Sequence, residues 1–289
     1  MLKIIIYLGY KFLEFLAFIT PYPISYMIAF CVAKIIYICN IYVDFLKINV
    51  SNVTGFYKNS REVSRIVQRV YYHWFRNVVD FLKHPLISPE KLKKRVQIKG
   101  LENLDKALKK GKGIVIFTAH IGNFEWGACR VAVEGYKIWG TGLSRPYHKT
   151  NLFFENRRLS KGLKTIYADK INLNIFRILK NNEIIAIPTD FDPIGKAKPY
   201  NFFGKKAYIP SGPVEIAMRT GASLIPSFIW RKDKYNHFQI IGEQLELELE
   251  SASSKDDLIE LNMQKMIKIL EKYIKEHIEE WEMFHNIWA

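Results

Sequence analysis

The sequence predicts an α/β domain with a mostly parallel central sheet flanked by helices, preceded by a hydrophobic helical anchor. From residue 96 onward, short apolar runs alternate with helical patterns, which is typical of a parallel sheet covered on both faces. One run, residues 113–118, is apolar after its glycine, as in a strand buried on both faces. Residues 2–42 form an apolar stretch outside this alternation. We therefore divide the chain into a membrane-associating segment (1–48) and an α/β domain (49–289).

The N-terminal segment is dominated by Ile, Leu, Phe, Tyr and Ala and is interrupted by Pro21 and Pro23. It lacks the cleavage site of a signal peptide. Residues 24–42 nearly reach the roughly 20 apolar residues of a spanning helix, but their Lys34 costs about 2.5–3.5 kcal/mol on insertion. We predict a helical hairpin lying in the membrane interface. A spanning helix and a helical pair packed on the α/β domain are the alternatives.

The α/β domain is predicted to begin with a helix over residues 71–82. The predicted strands span residues 96–99, 113–118, 136–140, 164–167, 183–188 and 222–230. The predicted helices span residues 101–110, 123–133, 148–160, 173–180 and 213–220, and an amphipathic helix over residues 255–282 follows. Ligands of such sheets bind beyond the carboxyl ends of the strands, so the end of the strand at Thr118 is the first place to look for a site.

Composition and charge exclude several classes of protein. Of the 289 residues, 49% are hydrophobic and 14% aromatic, which excludes intrinsic disorder, and a mean hydropathy of −0.06 excludes a multi-span transporter. The formal charge is +15, and residues 49–240 carry 34 of the 43 Lys and Arg residues. Such a surface attracts nucleic acid, anionic lipid or acidic small molecules, and charge alone does not choose among them. The three cysteines form no CxxC pair and no zinc-finger spacing, which predicts a reducing environment and no structural metal.

A His-x4-Glu pair follows the strand at residues 113–118. This spacing arises readily by chance, and it recurs at His277 and Glu282, where an amphipathic helix predicts a surface histidine. His120 differs because it follows a buried strand, with Gly122 to turn the chain and Asn123 to cap the next helix. Glu125 then falls in the first turn of that helix, from which we expect it to reach back to the imidazole.

The chemistry that such a pair supports is proton abstraction from a hydroxyl. A neutral imidazole takes the proton, and the carboxylate orients the ring and stabilises the imidazolium. The sequence has no G-x-S-x-G elbow, P-loop or G-x-G-x-x-G after a strand. The nucleophile therefore belongs to the substrate, and nucleotide chemistry is not indicated.

The block around His120, with its Gly122-Asn123 and Glu125, resembles the H-x4-D/E motif of glycerolipid acyltransferases. More narrowly, it resembles the lipid A biosynthesis (late) acyltransferase family. Further segments resemble this family in the same order along the chain: Ser144-Arg145-Pro146-Tyr147 with Arg157-Arg158, Ile187-Pro188-Thr189-Asp190, Asn201-Phe202-Phe203-Gly204, Pro210-Ser211-Gly212-Pro213 and residues 222–231. Together with the apolar N-terminus and a closing segment containing Trp281 and Trp288, the resemblance covers nearly the whole chain.

The resemblance implies roles for particular residues. His120 would be the general base and Glu125 its partner. Arg145 would stabilise the thioester oxyanion or hold an acceptor phosphate. On a helix only one of Arg157 and Arg158 can face the site. The residues expected to bind substrate or the oxyanion are Arg145, Asp190, Asn123 and Arg158, with Asp190 orienting Arg145 or the acceptor.

The resemblance also implies an activity. It is that of an O-acyltransferase that moves a fatty acyl chain from acyl carrier protein, or coenzyme A, to a hydroxyl of a lipid A precursor or related anionic glycolipid. No cofactor beyond the acyl donor is implied, and the expected location is the cytoplasmic face of the inner membrane. A lysophospholipid, a mannoside glycolipid or an aminolipid is an alternative acceptor. A non-enzymatic basic protein that binds nucleic acid is a further alternative, but no reader motif is present.

Overall fold

The computed structural model describes residues 2–168, 173–250 and 254–289. The helices are α1 (Leu2–Ile19), α2 (Tyr22–Ile38), α3 (Val43–Thr54), α4 (Arg61–Lys83), α5 (Pro89–Arg95), α6 (Leu101–Leu108), α7 (Phe124–Ala132), α8 (His148–Leu159), α9 (Leu173–Lys180), α10 (Gly212–Thr220) and α11 (Lys255–Glu276). The strands are β1 (Val96–Lys99), β2 (Ile114–Thr118), β3 (Ile138–Gly142), β4 (Lys164–Tyr167), β5 (Ile184–Pro188), β6 (Pro199–Phe202), β7 (Lys205–Tyr208), β8 (Ser223–Arg231) and β9 (His237–Ile241). Short 3-10 helices lie at His84–Leu86 and Ile278–Glu280.

Seven strands form one sheet in the order β1-β9-β8-β2-β5-β3-β4. Every neighbouring pair in it is parallel except β8 and β9. Strands β6 and β7 form a separate antiparallel hairpin. The predicted fold class, a mostly parallel sheet flanked by helices, is therefore confirmed. Strand β9 and the β6–β7 hairpin are not predicted by the sequence pattern, because these short strands mix polar and apolar residues and lack the continuous apolar run of a central strand.

The side chains of β2 alternate between two hydrophobic cores, one on each face of the sheet. Val115 and Phe117 pack on the side of α9, α10 and α11, whereas Ile114 and Ile116 pack on the side of α5, α6 and α7. Because the strand is buried on both faces, its sequence is continuously apolar. The sheet is thus covered on both sides, and the carboxyl ends of β2 and β5 lie at one edge of it.

The N-terminal helices α1 and α2 are separated at Pro21, as predicted, and both pack on α4. Many of their large apolar side chains are exposed, among them Leu8, Phe12, Met27 and Ile28. Within the described residues, no single helix is long and apolar enough to cross a membrane, while α2 and α3 together, bent by 93°, meet the length and composition required. The division of the chain at residue 48 stays a prediction, and it falls inside α3.

Candidate active site

The loop between β2 and α7 carries His120, and its backbone conformation is restricted at Gly122 and Asn123. Gly122 has a φ of +56°, and a Cβ atom there would lie 2.3 Å from the carbonyl oxygen of Ile229. Only glycine fits such a close approach. Asn123 is the N-cap of α7 as predicted, because its Oδ1 accepts a hydrogen bond from the Trp126 backbone N–H at 3.1 Å. The loop therefore places His120 at a defined point beyond the strand.

The C-terminal segment clamps this loop by backbone hydrogen bonds. The N–H of Gly122 donates to the carbonyl of Glu280 at 3.1 Å, and the N–H of Glu282 donates to the carbonyl of His120 at 2.8 Å. A bridge between Ile121 and Trp281 lies between them. Residues about 160 positions apart in the chain thus form a short antiparallel ladder, which fixes the backbone on which the imidazole stands.

The carboxylate that holds the imidazole is Asp190. Parallel pairing aligns Thr118 of β2 with Pro188 of β5, so His120 and Asp190 each lie two residues beyond the aligned positions. Nδ1 of His120 is 2.8 Å from Oδ1 of Asp190. Oδ2 of Asp190 accepts hydrogen bonds from the His120 backbone N–H at 2.9 Å and from Nε1 of Trp281 at 2.8 Å.

The pairing changes the pKa of both groups. Burial by itself lowers the pKa of His120, but the charge of Asp190 and its hydrogen bond more than offset this, so the pKa lies above the ordinary value of 6.5. Burial opposes ionisation of Asp190. However, the charge of His120 and the hydrogen bonds from its ring, from its backbone N–H and from Trp281 hold the pKa of Asp190 below the ordinary value. A carboxylate on Nδ1 favours the tautomer with hydrogen on Nδ1, which leaves Nε2 free to accept a proton.

Glu125 does not hold the imidazole, which corrects the expectation from the His-x4-Glu spacing. Its two carboxylate oxygens accept a fork of hydrogen bonds from Arg158, from Nε at 2.8 Å and from Nη2 at 2.5 Å. Burial lowers the pKa of Arg158, but the charge and hydrogen bonds of Glu125 more than offset this effect. The pKa of Arg158 therefore lies above its ordinary value. A fork–fork pair has the better geometry, so Glu125 turns toward α8 rather than back toward His120.

Arg158 is thereby engaged as the partner of Glu125 and is not a free donor for substrate. Its neighbour Arg157 points to the other side, where it pairs with Glu14 of α1. Of the two arginines, only Arg158 pairs with a residue of the His120 block, and its binding of substrate stays a prediction.

Asn123 is also engaged within the protein rather than with substrate. Besides capping α7, its Nδ2 donates to Asp80 of α4 at 3.2 Å. Asp80 is completely buried and also accepts hydrogen bonds from Tyr26 at 2.6 Å and from Nη2 of Arg231 at 2.5 Å. The amide oxygen of Asn123 thus caps α7, and its amide nitrogen attaches the start of that helix to Asp80 on α4.

A cleft of about 500 Å³ is lined by Gly122, Asn123 and Phe124, which follow His120 in the chain. Its walls are apolar side chains of α1, α4 and α8, and its polar end is formed by Asn77, Gly122, Asn123, Glu125, Arg145 and Glu282. The His120 ring packs edge-on against Phe124, which lines the cleft, with ring centroids 5.1 Å apart. Arg145 lies with its guanidinium carbon 3.5 Å from the Phe154 ring centroid, and hydrogen bonds with Asn151 hold its backbone.

Two residues of this cleft, Asn77 and Glu282, were missed by the sequence analysis. Nδ2 of Asn77 donates to the Gly122 carbonyl at 2.8 Å and to Oε1 of Glu282 at 2.5 Å. Burial raises the pKa of Glu282 to about 8, although Asn77 and the charge of His120 oppose the shift. Glu282 belongs to the second His-x4-Glu pair, for which the sequence predicts an amphipathic helix with its histidine at the surface. Its histidine, His277, is half-buried and stacks on Trp230 with centroids 4.3 Å apart.

The arrangement suits proton transfer at a hydroxyl. The imidazole of His120 packs on Phe124 in the wall of the apolar cleft, and Arg145 lines the same cleft. Among residues 2–168, 173–250 and 254–289, no group of three or more His, Cys, Asp or Glu side chains could hold a metal ion.

The chain is similar to known acyltransferases. A family model described as bacterial lipid A biosynthesis acyltransferase matches residues 1–289. The phosphatidylinositol mannoside acyltransferase of Mycobacterium tuberculosis (strain ATCC 25618 / H37Rv) is 27% identical over 164 residues, which cover 54% of this chain and 51% of that protein. The protein of the same name from Mycolicibacterium smegmatis is 26% identical over 152 residues, 50% of this chain and 49% of that protein. The chain thus spans about half the length of the curated relatives it matches.

A solved structure also resembles the fold. It is the 1-acyl-sn-glycerophosphate (LPA) acyltransferase PlsC from Thermotoga maritima, with a TM-score of 0.40 and 15% sequence identity. The superposition covers 89% of this chain and 97% of that one.

Proposed function

The chain belongs to the bacterial lipid A biosynthesis acyltransferase family, and on this premise we propose that it transfers a fatty acyl chain to a hydroxyl of a lipid A precursor or a related anionic glycolipid. The donor is a thioester, carried by acyl carrier protein or coenzyme A. The observation that carries the proposal is the His120–Asp190 pair, whose imidazole packs on Phe124 in the wall of an apolar cleft. A hydroxyl that reaches this imidazole meets a general base held in the reactive tautomer.

In the proposed reaction, Nε2 of His120 removes the proton of the acceptor hydroxyl as its oxygen attacks the thioester carbonyl carbon. The tetrahedral intermediate then expels the thiolate, the C–S bond breaks, and the imidazolium returns the proton to sulfur. Asp190 stabilises the imidazolium between these two steps because its buried charge faces Nδ1. No acyl-enzyme forms, since the attacking oxygen belongs to the acceptor.

Arg145 is the proposed electrophilic group. The N–H groups of Ile121 and Gly122 donate to the carbonyls of Ala119 and Glu280, so this part of the loop offers no oxyanion hole. Arg145 lines the cleft, with its guanidinium stacked on Phe154 and its backbone held by Asn151. A positioned cation of this kind stabilises a developing oxyanion or holds the phosphate of an anionic acceptor.

The surroundings of the cleft support a membrane-bound acceptor. Tyr10 and Leu13 of α1 contribute to the cleft wall, and the same helix exposes apolar side chains such as Leu8 and Phe12. A helix with this distribution lies in the membrane interface. We place the protein on the cytoplasmic face of the inner membrane, where acyl chains enter from the lipid side. The basic residues of segment 49–240 would attract an acidic carrier protein.

A second candidate acceptor is a mannoside glycolipid. The observation that favours it is the similarity to two mycobacterial phosphatidylinositol mannoside acyltransferases over half of the chain. The proposed chemistry is the same, and only the hydroxyl that enters the cleft differs.

The test is an acyl-transfer assay with the purified full chain. Each donor, acyl carrier protein thioester and coenzyme A thioester, is offered with a lipid A precursor and, separately, with a phosphatidylinositol mannoside, and products are identified by mass spectrometry. We expect one acyl chain to be added to the lipid A precursor. Lipids of a deletion strain should lack the same acyl chain.

His120→Ala is the control for chemistry. Removal of a general base typically lowers the rate about 10²–10⁴-fold, and His120→Ala should show such a loss with unchanged folding by circular dichroism. Acyl transfer by this variant at the wild-type rate would contradict the mechanism. Transfer to the mannoside lipid alone would replace the lipid A acceptor with the second candidate.

A further inference from the structure

A second concave site lies on the opposite side of α4 from the catalytic cleft. Trp74, Val78 and Phe81 of α4 line the cleft, whereas Arg65, Arg69, Tyr72 and Arg76 line a separate pocket of about 550 Å³. Each set follows the three- and four-residue spacing of one helix face, and residues two apart, such as Arg76 and Val78, point to opposite faces. We call this pocket the arginine pocket. The other residues of its wall are Phe30, Gln68, His73, Arg231, Lys232 and one carboxylate, Asp233.

The arginine pocket has more positive charge than its acidic neighbours neutralise. Arg69 pairs with Glu279, and Arg231 pairs with Asp80. The carboxylate in the lining, Asp233, accepts hydrogen bonds from the backbone N–H groups of Tyr235 and Asn236, so five cations face three carboxylates. Arg76 is buried between the Tyr26 and Tyr72 rings, its guanidinium carbon 4.8 and 5.1 Å from their centroids, and it donates to the Lys234 carbonyl rather than to a carboxylate.

The exposed rim adds two cations that can reach a ligand directly. Arg65 is exposed, and Lys232 is exposed with Nζ 3.1 Å from the neutral amide oxygen of Gln97. Deeper in the wall, Nε of Arg76 and both Nε and Nη1 of Arg231 have no hydrogen-bond partner within the described residues. These nitrogens are covered from solvent, so they act on the pocket through charge, which a low-dielectric surrounding screens poorly.

We propose that the arginine pocket binds a phosphate group. Guanidinium groups are suited to phosphate because their planar donors match its oxygens. The pocket also adjoins an apolar surface, since Phe30 of α2 lines it and the same helix exposes Met27 and Ile28. A phosphate bound between the arginine pocket and the apolar surface of α2 would be in the position of a lipid headgroup. The acyl chains of that lipid would then contact the apolar side chains of α2. This favours a lipid-borne phosphate over free phosphate.

The pocket is connected to the catalytic loop through α4. Nη2 of Arg231 donates to Oδ1 of Asn77 at 2.6 Å, and Nδ2 of Asn77 donates to the Gly122 carbonyl at 2.8 Å. A bound phosphate would stabilise Arg231 in its present position and thus the loop that carries His120. The proposed site is nevertheless separate from the acyl-transfer cleft, and its occupation can be measured without acyl donor.

The test is vesicle binding by the purified full chain. Partition to vesicles of phosphatidylcholine alone is compared with partition to phosphatidylcholine vesicles that also contain phosphatidylglycerol. The pocket variant is Arg65→Gln with Lys232→Gln. The matched control is Arg61→Gln with Lys99→Gln, which removes the same charge from two exposed residues outside the pocket.

We expect the phosphatidylglycerol-dependent increase in partition to be about 25-fold smaller in the pocket variant, because each of its two basic residues contributes about fivefold to binding near an anionic surface. The control should lose less than about twofold. An equal loss in both variants would show attraction by net charge alone and overturn the proposal, as would wild-type binding by the pocket variant.

A second arm identifies the source of the phosphate. Inorganic phosphate is titrated into wild-type protein and the pocket variant without vesicles, followed by the thermal unfolding midpoint. A pocket-dependent stabilisation would support binding of the free anion. Its absence, combined with pocket-dependent vesicle binding, would assign the phosphate to lipid. No pocket dependence in either arm would refute the site.

Discussion

Asp80 and Asp190 are two completely buried aspartates that each accept three hydrogen bonds, but the cations they hold differ. Asp190 receives two of its bonds from His120, whose side chain is 28% exposed beside the cleft. Asp80 receives one from Arg231, whose side chain is only 2% exposed. Histidine exchanges a proton near neutral pH, whereas an arginine remains charged. The same carboxylate environment therefore serves proton transfer at one place and attachment of helices at the other.

The comparison shows that a buried ion pair is not by itself a sign of catalysis. The charge of Asp80 connects α2, α4, α7 and β8 through Tyr26, Asn123 and Arg231. Burial lowers the pKa of Arg231, but the charge of Asp80 more than offsets this effect. The pKa therefore lies above its ordinary value, and the guanidinium stays ionised. Asp190 instead raises the pKa of His120, the group that gains and loses a proton in the proposed reaction. Variants of each aspartate should separate these roles.

The largest effect is expected for Asp80→Asn, on stability. The substitution leaves the Arg231 guanidinium buried without its carboxylate, which typically costs about 3–5 kcal/mol of unfolding free energy. Denaturant unfolding monitored by tryptophan fluorescence measures the loss. The double variant Asp80→Asn with Arg231→Met should be less destabilised than the single one, because no unpaired charge remains. Full stability combined with loss of acyl transfer would reverse the assignment of Asp80.

The next effect is expected for Asp190→Asn, on catalysis. The acyl-transfer rate should fall about 10²-fold, because the imidazole loses the carboxylate that orients it and stabilises its cation. The base acts in its neutral form, so the rate rises with pH through the pKa of His120. That pKa is above 6.5 in the wild type and falls when the negative charge is removed. The rising limb of the pH–rate profile should therefore move to lower pH.

Asp105→Asn is the matched control, since Asp105 is an exposed aspartate that accepts a hydrogen bond from Tyr136. Its pH–rate profile should coincide with that of the wild type. A limb that stays in place in Asp190→Asn would mean that another group sets it.

The smallest effect is expected for Trp281→Phe. This change keeps an aromatic side chain but removes the Nε1 donor to Asp190, which is worth about 1 kcal/mol, or a rate loss of about fivefold. Trp288→Phe removes a comparable donor to Asn49, away from Asp190, and should lower stability without lowering the rate per folded molecule. Equal rates for the two variants would remove Trp281 from the support of the catalytic pair.

Much of the candidate site was predictable from local sequence. The apolar run of β2, the glycine turn and the Asn123 cap all act within a few residues, so they located His120 at the end of a buried strand. The partner of His120 was assigned wrongly because the His-x4-Glu spacing offered a carboxylate one helical turn away. Asp190 is 70 residues further on, and only the adjacency of β2 and β5 in the sheet brings it to the ring.

Other parts of the site depend on contacts that leave no local pattern. The ladder between residues 120–122 and 280–282 uses backbone groups, which every residue has. Glu282 resembled a surface carboxylate of an amphipathic helix. However, α11 ends at Glu276, and a 3-10 turn at Ile278–Glu280 redirects the chain into the cleft. Asn77 was one polar residue among many on α4.

The sequence by itself determined the fold class, the strand that leads into the candidate site, the histidine at its end and the family. These follow from short-range periodicity, turn chemistry and motifs, which are properties of neighbouring residues. Only the tertiary structure decided which carboxylate holds His120, which arginine is engaged by Glu125, and that α4 separates a catalytic cleft from an arginine pocket. The physical reason is that hydrogen bonds and ion pairs depend on distances of about 3 Å. Strand order and helix packing set those distances between residues far apart in the chain.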